Sequence, residues 1–258
     1  MVGSMVAMSF PHENLSVYRK ALDFFGGIQR QVGAWSRRRV FVDHLIRAAE
    51  SILFNLVEGV RLRATDKKVI TLDYAIGSVL ECAACMDIAM LKGLLTESVA
   101  VGQKTALLEL CKMLVGLRNS WSAPRVAEDA VSYEAGSVPS GGSVIFYHET
   151  MDRYIVTLEF YRWLIATVAT QRPPVAYAKA ADTLATRILL NIAESNGRYA
   201  SLSRQTFLDT ANAATAKLAV LLDMGVRRGI MAQPEVATGK GLLVRVGQMT
   251  ARKDYTTP

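Results

Sequence analysis

Apolar residues recur at steps of three and four from Leu15 through Tyr18, Leu22, Phe25, Ile28 and Val32. That spacing places them on one face of a helix. Three more segments follow with the same period. The second covers residues 40–58, with Phe41, Leu45, Ala48 and Ile52 in line. The third covers 66–92, with Val69, Leu72, Ile76, Val79, Ala83, Met86 and Met90 in line. The fourth covers 97–118, with Leu107, Leu110, Leu114 and Leu117. Thr65-Asp66 and Thr96 are expected N-caps, and Gly59 and Gly93 expected C-caps. No stretch alternates with period two. Four helices of about 20 residues, each about 30 Å long and joined by short loops, predict an up-and-down four-helix bundle.

The pattern then repeats at a constant offset of 136 residues. Phe10-Pro11-His12-Glu13 aligns with Phe146-Tyr147-His148-Glu149, and Tyr18, Leu22 and Phe24 align with Tyr154, Leu158 and Phe160. Ile52, Asn55 and Glu58 align with Ile188, Asn191 and Glu194. Ala83, Asp87 and Gly93 align with Ala219, Asp223 and Gly229. A single register without gaps marks a tandem duplication. The expected fold is all-α: two tandem up-and-down four-helix bundles, residues 10–118 and 146–254, with a linker at 119–145. The linker carries Pro124, Pro139 and Ser140-Gly141-Gly142-Ser143 and has the composition of a connector. Gly239, Gly241 and Gly247 fall inside the last helix of the second copy. Each is a propensity penalty, so that helix is expected to be short, frayed or held by a partner.

Composition adds exclusions. Of 258 residues, 51% are hydrophobic, enough apolar surface to rule out disorder. Three cysteines cannot staple a chain of this size and fit a reducing, cytoplasmic setting. No unbroken apolar run approaches about 18 residues, so no membrane association is expected, and the first residues lack the basic region of a signal peptide. The net charge of +7 is a mild signal for a polyanionic partner. Both repeats are basic while the linker is acidic, so the charge belongs to the bundles.

Two polar residues interrupt the apolar stripe of the second helix. Asn55 lies three residues after Ile52, and Glu58 three later, so they share a face; Asn191 and Glu194 repeat the arrangement. Such residues either form a buried hydrogen-bonded pair that fixes helix register or serve a contact between bundles. The stretch Ser51-Ile52-Leu53-Phe54-Asn55-Leu56-Val57-Glu58-Gly59 resembles the second-helix hallmark of the 23S rRNA intervening-sequence protein (S23, or four helix bundle protein) family. Its relatives include the accessory variability-determinant proteins of diversity-generating retroelements. Ala75-Ile76-Gly77-Ser78-Val79-Leu80-Glu81 is similar to the third-helix hallmark, and Leu15–Ala21 to the opening helix. The second copy keeps Asn191-Ile192-Ala193-Glu194, but Ser195 stands for Gly59, Ala213-Ala214 for Gly77-Ser78 and Lys217 for Glu81. The resemblance implies small non-enzymatic bundles that tend to form pentamers. It also implies, for the retroelement members, basic surfaces that bind a reverse transcriptase and RNA.

The basic residues cluster near helix ends. Arg37, Arg38 and Arg39 lie between the first and second helices. Arg61, Arg63, Lys67 and Lys68 surround the next loop, which Lys112 and Arg118 should approach from the fourth helix. The second copy has Arg198 and Arg204 at the corresponding loop and Arg172 beside Pro173-Pro174. Phosphate contact is the functional reading of these clusters, and solvated helix ends the plain one. No aromatic residue interleaves with them in the sequence, so base stacking is not expected. Cys82, Cys85 and Cys111 read as core thiols, because Leu218 and Leu221 occupy the first two positions in the second copy. His12-Glu13 and His148-Glu149 read as residues of a helix lead-in, and Asp73, Asp87, Asp209 and Asp223 as interface ion-pair partners. No metal ligand set, cofactor motif or nucleophile motif is present. The expected function is a non-enzymatic adaptor for RNA, or for a reverse transcriptase or other ribonucleoprotein, with self-association of bundles. The alternative is a protein-interaction or oligomerisation module without nucleic-acid binding.

Overall fold

The computed structural model describes residues 10–35, 40–122, 145–197 and 201–251, without the side chains of 201 and 202. The described residues form eight α-helices and no strand. A 3-10 turn, Pro11–Asn14, leads into α1 (Ser16–Val32), α2 (Val40–Arg61), α3 (Thr65–Leu91) and α4 (Glu97–Trp121). A second turn, Tyr147–Thr150, leads into α5 (Asp152–Gln171), α6 (Val175–Ser195), α7 (Ser201–Arg227) and α8 (Gln233–Ala251). Both turns and α1, α3 and α4 start 136 residues before their counterparts; only α2 and α6 differ, by one residue. Each set of four closes on itself, α1 against α2 and α4, and α5 against α6 and α8.

The helix ends follow local chemistry. Thr96 caps α4, its hydroxyl accepting from the Val99 N–H at 3.5 Å. Gly93 and Gly229 end α3 and α7 with φ of +67° and +65°, a left-handed turn that costs glycine little. Two expectations fail. The residue before α3 is Ala64, which has no side-chain cap. Gly59 is not a terminator either, because α2 runs on to Arg61 and Gly59 lies buried inside it. A Cβ there would come within 3.2 Å of the Trp121 ring, so the glycine makes room for the end of α4.

The two bundles share one apolar core. α6 of the second repeat packs on α3 and α2 of the first, so α3 is covered on nearly all sides and is buried from Thr71 to Ala89 with few interruptions. By length and mean hydropathy α3 passes as a membrane span, but 78% of that window is buried within the fold. The backbones of the two repeats come close at Gly77 and Gly197, where a Cβ on Gly197 would stand 2.8 Å from the Gly77 Cα. The first helices differ between copies. Tyr154, Tyr161 and Leu164 of α5 are buried, whereas on α1 Leu22 is 42% exposed and the buried positions are Val17, Ala21, Ile28 and Val32. The stripe expected on α1 is thus only partly inward. In α8 the glycines do not interrupt the helix, and at Gly239 a Cβ would clash with the Trp163 ring.

Candidate nucleic-acid interface and the buried charge cluster

The exposed basic group forms where α2 hands over to α3. Arg61 is the last residue of α2, Arg63 lies in the short connection, and Lys67 and Lys68 occupy the first turn of α3. Arg61, Arg63 and Lys67 are exposed, and none makes an ion pair among the described residues. Basic side chains in a first turn add to the positive end of the helix dipole, which is unfavourable for the helix and favourable for a bound anion. Lys68 is half-buried, its Nζ 4.9 Å from the centroid of the Trp121 ring. No aromatic residue interleaves with this cluster along the sequence, but α4 delivers Trp121 to it. Arg118, one turn earlier on α4, reaches the same end but is engaged, its Nε donating to Asp73 Oδ1 at 2.5 Å. Lys112 is exposed.

The second repeat offers less. Arg204 is half-buried, and its Nε is enclosed without a hydrogen-bond partner. Arg172 is exposed at the end of α5 with φ +46°. Arg37, Arg38, Arg39 and Arg198 lie outside the described residues, as does most of the linker.

The motif residues hold helices together. The Asn55 amide donates to the Ser51 carbonyl and hydroxyl at 2.8 and 2.9 Å. The Ser51 and Ser78 hydroxyls are 2.8 Å apart, which ties α2 to α3. Glu81 bonds His44 of α2 at 3.1 Å, and Gly77 admits Gly197. Glu58 does not pair with Asn55: it is exposed. Asn191 donates back to the Arg187 carbonyl at 2.7 Å, and Glu194 is half-buried. The three cysteines are free and buried. Burial pushes their thiols up, Cys111 to about 12, which suits packing and opposes reactivity.

A second charged group lies between the repeats. Lys104 of α4 donates to Asp87 of α3 and to Glu149 of the second turn, each at 2.9 Å. The Tyr154 hydroxyl donates to the other Asp87 oxygen at 2.7 Å. Glu149 also accepts from the Ile145 and Phe146 N–H groups. Burial alone would lower Lys104, but Asp87 and Glu149 together hold it above the usual lysine value. Burial raises Glu149. Beside them His148 is fully enclosed with neither ring nitrogen bonded, and burial, followed by the Lys104 charge, takes it down to about 3. Its ring stands edge-on to Tyr154 at 4.7 Å. A second link, Lys92 to Asp182 at 2.6 Å, adjoins a groove of about 850 Å³ lined by Val40, Tyr161, Leu164, Val168 and Val175. Sequence reasoning named Asp87, His148 and Glu149 but missed Lys104; the signal was there, since Lys240 occupies the matching position. No group of three or more metal-ligating side chains occurs among the described residues.

Residues 13–116 match the family model described as 23S rRNA-intervening sequence protein. Neither a curated protein nor a solved structure matches the chain.

Proposed function

We propose, from the match of residues 13–116 to the family model described as 23S rRNA-intervening sequence protein, that the chain is a non-enzymatic helical adaptor. In this reading it binds RNA, alone or within a ribonucleoprotein such as a reverse transcriptase complex, through the basic end of that repeat. One observation carries it: Arg61, Arg63 and Lys67 project into solvent without carboxylate partners, beside Lys68 on Trp121. Cations held at a helix start recognise phosphate rather than a base sequence. The buried Asp87–Lys104–Glu149 group, with His148 beside it, lies between the repeats, where in this reading it acts as a lock rather than as acid or base toward a substrate. The three buried, free thiols of the first repeat suit a reducing, cytoplasmic setting.

A second reading, a protein-interaction module, is favoured by the exposed apolar side chains Phe54, Val220 and Met224, which are 69%, 57% and 48% exposed.

The test is a salt titration of binding to labelled RNA. The adaptor reading expects the logarithm of affinity to fall linearly with the logarithm of salt, with a slope of about −0.7 per phosphate contact on a single strand. No binding at low salt, or affinity indifferent to salt, would sink it.

A further inference from the structure

Two rows of exposed side chains run side by side on α2 and α3. On α2 the row is Phe54, Glu58 and Arg61; on α3 it is Lys67, Ile70 and Tyr74. Steps of three and four residues keep each row on one helix face. The two helices are antiparallel neighbours. The Ser51 and Ser78 hydroxyls are 2.8 Å apart, and a Cβ on Gly59 would stand 3.7 Å from the Lys68 carbonyl oxygen. Phe54 follows Ser51 by three residues, and Tyr74 precedes Ser78 by four. Both rings therefore stand about one turn, about 5 Å, from the serine contact, on the side of the α2–α3 loop. Arg61 and Lys67 close the same face at the loop.

The second repeat covers the continuation of this face. It follows α3 from Asp182, bonded to Lys92, to Gly197 at Gly77, one turn before Tyr74. Phe54, Ile70 and Tyr74 are 69%, 51% and 46% exposed. Large apolar side chains clustered in water mark a binding surface, and here they adjoin the cations of the α2–α3 end. The bundle does not need them for its own packing. At the matching positions the second copy has Leu190, Thr206 and Thr210, with Gly197 and Ser203 for Arg61 and Lys67.

We propose that this face is a platform for single-stranded RNA, on which unpaired bases stack on Phe54 and Tyr74 while phosphates lie on Arg61, Arg63 and Lys67. The inference rests on the RNA reading and adds the strandedness of the ligand. Phosphate contacts position a nucleic acid without reading its bases. An exposed ring reads whether a base is free, because the bases of a duplex are stacked on one another and only an unpaired base can splay onto a side chain. Glu58 stands between the rings and the cations and repels phosphate there. That stretch of the face is left to base edges, whose amino groups a carboxylate accepts from. Stacking tolerates any base, so the platform selects for strand rather than for sequence.

The test measures binding of a labelled single strand, the same strand with abasic residues, and its blunt duplex. The proteins are the wild type, Phe54→Ala alone and with Tyr74→Ala, and Phe54→Trp, which keeps a ring. Both positions are exposed, so circular dichroism should report intact helices. The wild type should prefer the intact strand to the abasic one. The alanine variants should bind the intact strand about 5- to 150-fold more weakly for each base that loses its stack, with an unchanged salt slope. Their affinity for the duplex and the abasic strand should match the wild type, and Phe54→Trp should keep tight binding. Equal wild-type affinity for intact and abasic strands, or alanine variants that bind the intact strand like the wild type, would overturn the platform while phosphate contact stands. A wild type that binds none of the three RNAs would overturn the RNA reading and the platform together.

Discussion

Lys104 of the first repeat donates to Glu149 of the second at 2.9 Å, with both side chains less than a tenth exposed. The same ammonium holds Asp87. One cation thus satisfies two buried carboxylates from different repeats, and the arrangement locks the bundles into one body.

Lys104→Met should leave Asp87 and Glu149 buried without their cation, a loss of about 3–5 kcal/mol. Lys240→Met, at the matching but solvated pair, should cost below about 1 kcal/mol. Urea unfolding measures both. Equal losses would mean that the buried position contributes nothing special.

His148 gives the fold an acid sensitivity with a definite sign. Burial holds its folded value at about 3, below the ordinary 6.5, so between these values the unfolded chain binds more protons than the folded one. Stability owed to this group is therefore complete above pH 6.5 and falls as pH drops toward 3, by at most about 1.4 kcal/mol per pH unit. Glu149, whose value burial raises, acts in the opposite direction. The effect must be read as a difference from His148→Phe, which keeps a ring against Tyr154. Unfolding free energies at pH 7 and pH 5 should diverge between the two proteins. Parallel curves would contradict the assignment.

The Gly77–Gly197 approach should tolerate no side chain. Gly197→Ala sets a Cβ 2.8 Å from the Gly77 Cα, and backbone cannot rotate away as a side chain can. The expected loss is about 1–3 kcal/mol. Gly241→Ala is the control: its Cβ meets nothing within 4 Å, and alanine favours a helix by about 1 kcal/mol. Thermal melts should move in opposite directions, and a neutral Gly197→Ala would show that the repeats are not closely seated.

The helices were readable because their chemistry is local. The three- and four-residue period and the 136-residue offset place α3 and α7, or α4 and α8, at matching starts. Docking was not readable, because it depends on which copy covers which. The sequence writes Asp87 and Asp223 alike, and only packing makes one buried and the other solvated. Trp121 was missed for a related reason. It lies three residues past the repeat as the sequence delimits it, inside the expected linker, while α4 continues through it to the basic end. Glu58 misled in the other direction: sharing a helix face with Asn55 did not bring it inside, because that face is the edge of the buried stripe, with Asn55 itself half-buried while Leu56 and Gly59 turn inward.

RNA binding through the α2–α3 end is tested most directly by replacing Arg61, Arg63, Lys67 and Lys68 together with alanine and measuring affinity for labelled RNA at low salt. Lys20, half-buried on α1 and paired with Glu109, supplies a control substitution with one charge removed elsewhere. The account predicts a loss across all RNA sequences and a salt slope shallower by about 0.7 for each phosphate contact removed, with the Lys20→Ala protein close to wild type. An unchanged affinity and slope in the fourfold variant would contradict it.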